Sequence, residues 1–186
     1  DAIEAAVRPN TRLIYIESPS NPLLMITDIA ATAEIGRRRG IPTAIDNTFA
    51  SPINQNPLAS GIDMVIHSGT KYIGGHSDLC CGAVLGASEP IARVKGAALN
   101  LGGSLNPLTC HLIERSLKTL SLRVERHNAN AMANAQFLSR HPAVRRVYYP
   151  GLEAHSGFSI ARRQMQGFGG MVSFEVQESK VTADRF

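Results

Sequence analysis

Short apolar runs alternate with amphipathic stretches over the first half of the chain. The runs are rich in Ile and Val and are bounded by Pro, Gly, Asn and Asp, which is typical of buried strands. We predict strands at 12–18, 41–47, 63–68 and 81–87, and helical segments at 27–40, 56–61 and 89–99. Strands that alternate with helices at this spacing indicate an α/β fold with a largely parallel sheet.

Polar residues follow the predicted strands. Ser18, Asn21, Asp46 and Lys71 lie at or just beyond the end of a strand. The strands themselves are almost continuously apolar, which predicts helices on both faces of the sheet. Ligands bind beyond the carboxyl ends of the strands in such sheets, so these residues are candidates for one binding site.

The second half of the chain has a different pattern. Apolar residues recur at helical spacing over 107–141, which predicts one long helix or two helices with a bend, and strands are predicted at 145–152 and 169–176. We predict that residues 1–122 belong to a larger domain and that residues 123–186 begin a smaller C-terminal α/β domain. The chain starts at Asp1 rather than Met, and we expect it to be part of a longer protein.

Composition and charge argue against several classes of function. The net charge is +4, but the basic clusters are not interleaved with aromatic residues, which form only 5% of the chain, so no nucleic-acid partner is expected. The apolar runs are too short to cross a bilayer, so no membrane partner is expected. The 3 cysteines are an odd number with two adjacent, which argues against a secreted disulfide framework and favours a cytoplasmic location.

A metal site is not expected either. His76, Cys80 and Cys81 lie close together in the sequence, but no second pair of ligands follows at the spacing of a zinc site. We therefore predict that these cysteines pack in the protein interior.

The segment HSGTKYIGGHSD, residues 67–78, places a lysine among small hydroxylated residues where a strand ends. A lysine amine withdrawn from water at such a place is a nucleophile that forms Schiff bases with carbonyl groups. Ser68, Thr70 and the turn amides suit a phosphate, and the Asp46 carboxylate suits a pyridinium nitrogen. These groups fit pyridoxal phosphate (PLP). The residue types alone leave open a surface lysine and an Asp46 that only stabilises a turn.

The motifs are more distinctive than their residue types. SPSNP (18–22), IDNTFASP (45–52) and HSGTKYIGGHSD, in this order and spacing, resemble the Cys/Met metabolism family of PLP-dependent transsulfuration enzymes. Segments at 115–131, 147–152 and 169–176 resemble the region that follows in the same family. The resemblance therefore covers essentially the whole chain. It implies the fold type I, aspartate-aminotransferase-like architecture, with 1–122 as the C-terminal part of the PLP-binding domain.

The resemblance also implies roles for individual residues. Lys71 matches the lysine that binds the cofactor covalently and later moves protons between substrate carbons. Asp46 matches the carboxylate that pairs with the pyridinium nitrogen, and Ser68 and Thr70 match ligands of the phosphate. Asn21 matches the asparagine near the 3′-oxygen of the cofactor.

The chain departs from the family pattern at several places. Many members have alanine where this chain has Gly69. The ring-stacking tyrosine, and the phosphate-binding Tyr and Arg of a neighbouring subunit, would precede residue 1, and the arginine for the substrate carboxylate would follow residue 186. We therefore expect the 186 residues alone to be inactive or weakly active.

The implied activity is replacement or elimination at the γ-carbon of homoserine-derived or sulfur amino acids. Motifs at 51–58, 71–78 and 166–176 look most similar to cystathionine γ-synthases and γ-lyases. Methionine γ-lyase, cystathionine β-lyase and O-acylhomoserine sulfhydrylase are alternatives within the family. The resemblance implies a homotetramer built as a dimer of dimers. The alternatives from other classes are an inactive homologue that serves oligomer assembly and a simple anion-binding α/β module.

Overall fold

A four-stranded sheet organises the first half of the chain in the computed structural model, which describes residues 2–177. The strands are β1 (Ile14–Glu17), β2 (Thr43–Asp46), β3 (Met64–Ser68) and β4 (Gly82–Gly86), and they lie in this order in the sheet. The first three strands run parallel, whereas β4 runs antiparallel to β3. The prediction of a largely parallel sheet is confirmed. The segment 69–81 forms turns rather than a crossover helix, so β4 returns in the opposite direction.

The helices follow the predicted order, with three short additions that the apolar pattern did not indicate. The bounds are α1 Ala2–Ala6, α2 Ile29–Arg39, α3 Ser51–Asn54, α4 Ser88–Asn100, α5 Pro107–Leu117, α6 Leu120–Leu138 and α7 Phe158–Gln164, with a 3-10 turn at Pro57–Ser60. The additions are α1, α3 and α7, and the predicted helix at 27–40 is α2. Asp28 caps the first turn of α2 by accepting a hydrogen bond from the Ala31 amide, and Gly40 ends the helix at φ +62°.

The main core lies between α2 and one face of the sheet. Ile29 and Ala33 of α2 pack with Ile45 of β2 and Val65 of β3. Ile29 and Ile45 are fully buried, and burial of a side chain of this size stabilises a fold by about 1.5–3 kcal/mol. On the opposite face Tyr15 is 53% exposed, whereas its strand partner Ala44 is buried, so the prediction of helices on both faces stays a prediction.

A second, two-stranded sheet follows α6. β5 (Val144–Tyr148) and β6 (Ser173–Val176) pair antiparallel, and Ala131 and Ala135 of α6 pack against Tyr149 beside this sheet. The predicted strand at 169–176 starts later than expected because Gly169, at φ +85°, belongs to the loop that precedes β6. The structure also resolves the choice at 107–141 in favour of two helices, α5 and α6.

Hydrogen bonds between side chains connect α3 to α6. Asn54 and Asn128 exchange two amide hydrogen bonds of 2.9 and 2.8 Å. The predicted domain boundary after residue 122 falls in the first turn of α6 and remains a prediction, and residues 178–186 of the predicted second domain lie outside the described residues. Among residues 2–177, no helix is both long and apolar enough to cross a membrane.

The contact between α2 and β2 gives a test of this packing. A Cβ on Gly36 would lie 2.3 Å from Thr43 Cγ2 and 2.8 Å from the Ile41 carbonyl oxygen. We therefore expect Gly36→Ala to destabilise the full-length protein by about 1–3 kcal/mol through overpacking, although alanine favours helices. Thermal unfolding would measure the change.

Gly96 provides the matched control. It lies in the interior of α4, where an added Cβ would meet no neighbouring atom within 4 Å. Gly96→Ala should stabilise the protein by about 0.5–1 kcal/mol through helix propensity alone. Equal effects of the two substitutions would contradict the close contact at Gly36.

Candidate active site

A cavity of about 680 Å³ lies beyond the carboxyl end of β3, within the size range of small-molecule sites. Of the predicted site residues, Asn21, Thr70 and Lys71 line it. Phe49, Tyr72, His127, Gly170 and Met171 contribute further lining. The cavity therefore collects residues from the loop after β1, from the turn after β3, from α6 and from the loop before β6.

Lys71 lies in a turn that directly follows β3. Its backbone N–H donates to the Ser68 carbonyl at 3.1 Å, and its own carbonyl accepts a 2.7 Å hydrogen bond from Gly75 N. The side chain is exposed. Withdrawal of the amine from water therefore stays a prediction for the full-length, cofactor-loaded protein, and within residues 2–177 the side chain is exposed at the wall of the cavity.

Asp46 is the last residue of β2 and is half-buried. Its Oδ1 accepts a 2.9 Å hydrogen bond from Thr48 N, so the local turn that the sequence left open is present. Burial raises the pKa of Tyr15, and the negative charges of Asp46 and Glu17 raise it further. The carboxylate therefore acts electrostatically on the neighbouring strand in addition to its local role.

The two hydroxyl residues before Lys71 differ in their surroundings. Ser68 ends β3, and its N–H donates to Thr48 Oγ1 at 2.7 Å, which joins the ends of β2 and β3. Thr70 Oγ1 accepts a 3.0 Å hydrogen bond from Cys81 N and can donate to the Cys81 carbonyl at 3.3 Å. Thr70 lines the cavity, whereas Ser68 and Asp46 are not among its lining residues.

The side chain of Cys81 accounts for the glycine at position 69. A Cβ on Gly69 would lie 2.3 Å from Cys81 Sγ, so the thiol occupies the space that an alanine methyl would need. Cys81 is half-buried in this contact, but Cys80 is exposed, so the prediction that both cysteines pack in the interior is wrong for Cys80. The segment 80–81 reaches the sheet edge before β4 begins, where its side chains alternate between protein and solvent.

A buried polar network supports the strand ends, and the sequence patterns did not reveal it. Asn47 is fully buried and donates to the backbone carbonyls of Ser51 and Gln55. Gln55 donates at 2.7 Å to Asn47 Oδ1 and at 3.0 Å to the Ser18 carbonyl. These bonds tie the ends of β1 and β2 to α3, and because each buried amide has partners the network is rigid. The only signal in the sequence was the Asp46-Asn47 pair, which also fits an ordinary turn.

The residues present fit the donor set that PLP requires. The cavity wall offers a primary amine on Lys71 and a hydroxyl on Thr70, and the neighbouring strand end offers the Asp46 carboxylate. An amine captures an aldehyde, a hydroxyl donates to a phosphate and a carboxylate accepts from a protonated ring nitrogen. The chain thus supplies a complementary group for each functional part of the cofactor.

Burial of His67 predicts that the stability of the fold depends on pH. His67 is 3% exposed on β3; burial lowers its pKa, and the negative charge of Asp46 opposes this shift. The unfolded chain therefore takes up a proton below about pH 6.5 that the folded chain does not, so stability falls as the pH drops, by at most about 1.4 kcal/mol per pH unit. Burial lowers the pKa of His155 as well, with the same sign.

We expect His67→Gln to reduce the loss of melting temperature between pH 7.5 and 5.5, since it removes one of these two groups. Thermal unfolding of the full-length protein across this range is the measurement. His111→Gln, at an exposed position of α5, is the control and should leave the pH dependence unchanged. An unaltered pH dependence in His67→Gln would contradict this account.

Comparison with known proteins places this chain in a family. The sequence model of the family described as "Cys/Met metabolism PLP-dependent enzyme" matches residues 1–186. The cystathionine γ-synthase of Mycobacterium tuberculosis is 50% identical over 184 residues, which cover 98% of this chain and 47% of that protein. The cystathionine β-lyase of Lactococcus lactis is 46% identical over 185 residues, which cover 99% of this chain and 49% of that protein.

The fold comparison agrees with the sequence comparison. A crystal structure of cystathionine γ-lyase from Lactobacillus plantarum, complexed with L-serine, superposes with a TM-score of 0.91 at 47% identity. The match covers 96% of this chain and 47% of that structure, and the chain spans about half the length of the curated relatives it matches. The fold type I expectation is confirmed, and the chain belongs to the Cys/Met metabolism family of PLP-dependent enzymes.

Proposed function

We propose that these residues form one wall of the active site of a transsulfuration enzyme that acts at the γ-carbon of homoserine-derived or sulfur amino acids. The observation that carries the proposal is the 680 Å³ cavity at the strand ends, which brings Asn21, Thr70 and Lys71 together. Family membership supplies the cofactor, and this cavity is the place where the chain offers an amine to it.

Each predicted site residue has a role in the proposal. The Lys71 amine holds the cofactor covalently, and the hydroxyls of Ser68 and Thr70 donate hydrogen bonds to its phosphate. The Asp46 carboxylate keeps a proton on the ring nitrogen, and Asn21 donates to the ring oxygen. The Asp46 Oδ1 accepts a hydrogen bond from Thr48 N, so the local turn restrains the carboxylate at the end of β2.

The chemistry divides between the cofactor and the chain. PLP, when bound, supplies an aldehyde for amino groups and a ring that withdraws electrons from the substrate α-carbon. The Lys71 Nζ accepts the proton from the α-carbon and returns protons to the neighbouring carbons as a general acid and base. Asp46 acts through the ring nitrogen, because its negative charge stabilises the proton there. Tyr72 and His127, whose rings lie 5.5 Å apart, wall the cavity beside Lys71.

Assembly and location belong to the same proposal. We expect a cytoplasmic homotetramer, built as a dimer of dimers, with 1–122 as the C-terminal part of the cofactor domain. The exposed Leu101, at 86% exposure, and Leu122, at 67%, are compatible with further protein contacts on this half of the molecule. An inactive assembly homologue is the competing proposal, and only turnover separates it from the enzyme.

Lys71→Ala tests the central role of the amine. Borohydride reduction of the cofactor-loaded full-length protein should leave a permanent mass increase on the peptide that contains Lys71, detected by mass spectrometry. The variant should lose that increase and its turnover, because no other group replaces the nucleophile. Lys118→Ala, at an exposed position after α5, is the matched control and should keep both.

An adduct on another lysine, or a phosphate-binding protein without any adduct, would contradict the proposed function. The second result is what a simple anion-binding module would give.

Substrate preference is tested with the full-length enzyme. Relatives of nearly equal identity carry the names of a γ-synthase, a β-lyase and a γ-lyase, so likeness alone does not select one reaction. We expect cystathionine to form from O-succinyl- or O-acetylhomoserine and cysteine, or to be cleaved at its γ-carbon, at a rate above that with methionine alone. Cleavage only at the β-carbon, or exclusive use of methionine, would contradict the proposed γ-carbon preference for cystathionine chemistry.

A further inference from the structure

We infer that Arg123 is a positioning residue for Lys71: its guanidinium reaches from α6 and caps the turn that carries the lysine. The inference rests on the proposed role of Lys71, but the contact itself is independent of that role. Arg123 donates to the backbone carbonyls of Tyr72 and Ile73, the two residues that follow Lys71.

The turn after β3 needs such a partner. Gly74 N donates to the Gly69 carbonyl and Gly75 N to the Lys71 carbonyl, both at 2.7 Å, so residues 69–75 form a tight hydrogen-bonded turn. The turn does not continue into a helix, so no backbone N–H of the turn donates to the carbonyls of Tyr72 and Ile73. These carbonyls form the negative end of the turn, where a cation is favoured.

All three nitrogen atoms of the Arg123 guanidinium donate hydrogen bonds. Nη1 lies 2.7 Å from the Tyr72 oxygen, and Nη2 lies 3.3 Å from the Ile73 oxygen. Nη2 also donates at 3.0 Å to the Ser116 carbonyl, and Nε donates at 3.1 Å to Thr119 Oγ1. One side chain therefore joins the end of α5, the start of α6 and the Lys71 turn, which a single ammonium group could not do.

The Arg123 guanidinium donates to uncharged oxygen atoms. No carboxylate of residues 2–177 lies within 4 Å of the Arg123 nitrogens. The side chain is half-buried, and burial lowers its pKa. Partial desolvation of a charge is unfavourable unless hydrogen bonds offset it, so the four bonds fix the guanidinium in one place.

Gly75 shows that the turn is shaped around this side chain. It ends the turn at φ +76°, a conformation that favours glycine. A Cβ at this position would lie 2.1 Å from Arg123 Nη1 and 2.6 Å from Cζ. The glycine thus serves both the backbone and the close approach of the guanidinium.

The held residues belong to the cavity itself. Tyr72 and Gly75 line it together with Lys71, and the Tyr72 hydroxyl accepts a 3.1 Å hydrogen bond from Gly170 N. The main chain and the side chain of Tyr72 are therefore both anchored to elements beyond residue 122. Loss of Arg123 would free the backbone of the residue next to Lys71 and let the amine leave its reactive position.

The first test is hydrogen exchange of the cofactor-loaded full-length protein, read by mass spectrometry on peptides that cover 69–79. Arg123→Gln should make the Gly74 and Gly75 amides exchange at least about 10-fold faster, because the capped turn opens more often. Gly75→Ala, which pushes the guanidinium away, should have the same effect. Arg126→Gln, an equal change of charge at an exposed position one turn later, should leave exchange unchanged.

The second test separates positioning from mere stability. In Arg123→Gln we expect kcat to fall by about 10- to 100-fold with KM changed less than about 3-fold, since small displacements of a reacting group have effects of this size. Arg123→Lys should recover only part of kcat, because lysine keeps the charge but loses the fork. The pH midpoint of the cofactor's visible absorption should also shift in Arg123→Gln and not in Arg126→Gln.

Unchanged exchange at Gly74 and Gly75 in Arg123→Gln would overturn the inference, as would an equal effect of Arg126→Gln. Failure of the proposed function has a different signature. In that case the wild-type protein would carry no adduct on Lys71, while the exchange experiment would still report on the cap.

Discussion

The parallel register of β1, β2 and β3 is the constraint on which the site depends. Glu17 pairs with Asp46, and Asp46 pairs with Ile66, so the three strands end along one edge. The ladder continues one step beyond the strands, because Ser18 N donates to the Asp46 carbonyl and Asn47 N to the Ile66 carbonyl. A shift by one residue would turn Asp46 toward α2 and Ile45 away from the core. The hydrophobic core and the position of the carboxylate are therefore fixed by the same pairing.

Beyond the strands, polar contacts take over from hydrophobic packing. Asn47 and Gln55 satisfy one another and the nearby backbone in the interior. Thr48 accepts from Ser68 N, and Arg123 holds the carbonyls that follow Lys71. Loops at a strand end have unpaired backbone groups, and side chains that bind those groups give the loops a defined shape. This is how a cavity formed mostly by turns can present an amine at a constant place.

The sequence predicted the strands and the main helices well, because short apolar runs between Gly and Pro residues have few other interpretations. It predicted a largely parallel sheet but not the reversal of β4, since apolar patterns carry no information on strand direction. Motif resemblance predicted Lys71 and Asp46 as site residues, and these roles stay predictions; the Lys71 side chain is exposed within residues 2–177. The role of Arg123 could not be predicted, because it binds backbone carbonyls 51 and 50 positions away and no side-chain pattern marks a carbonyl. The close approach of the Cys81 thiol to Gly69 could not be predicted either, because it depends on how the chain folds back after the turn.

The most direct measurement is a crystal structure of the full-length protein grown with PLP. The account predicts continuous density from Lys71 Nζ to the aldehyde carbon of the cofactor, and an Asp46 oxygen within about 2.6–3.2 Å of the ring nitrogen. A cofactor bound elsewhere in the protein, or an Asp46 carboxylate that makes only its turn contact with Thr48 while another group holds the ring nitrogen, would contradict it.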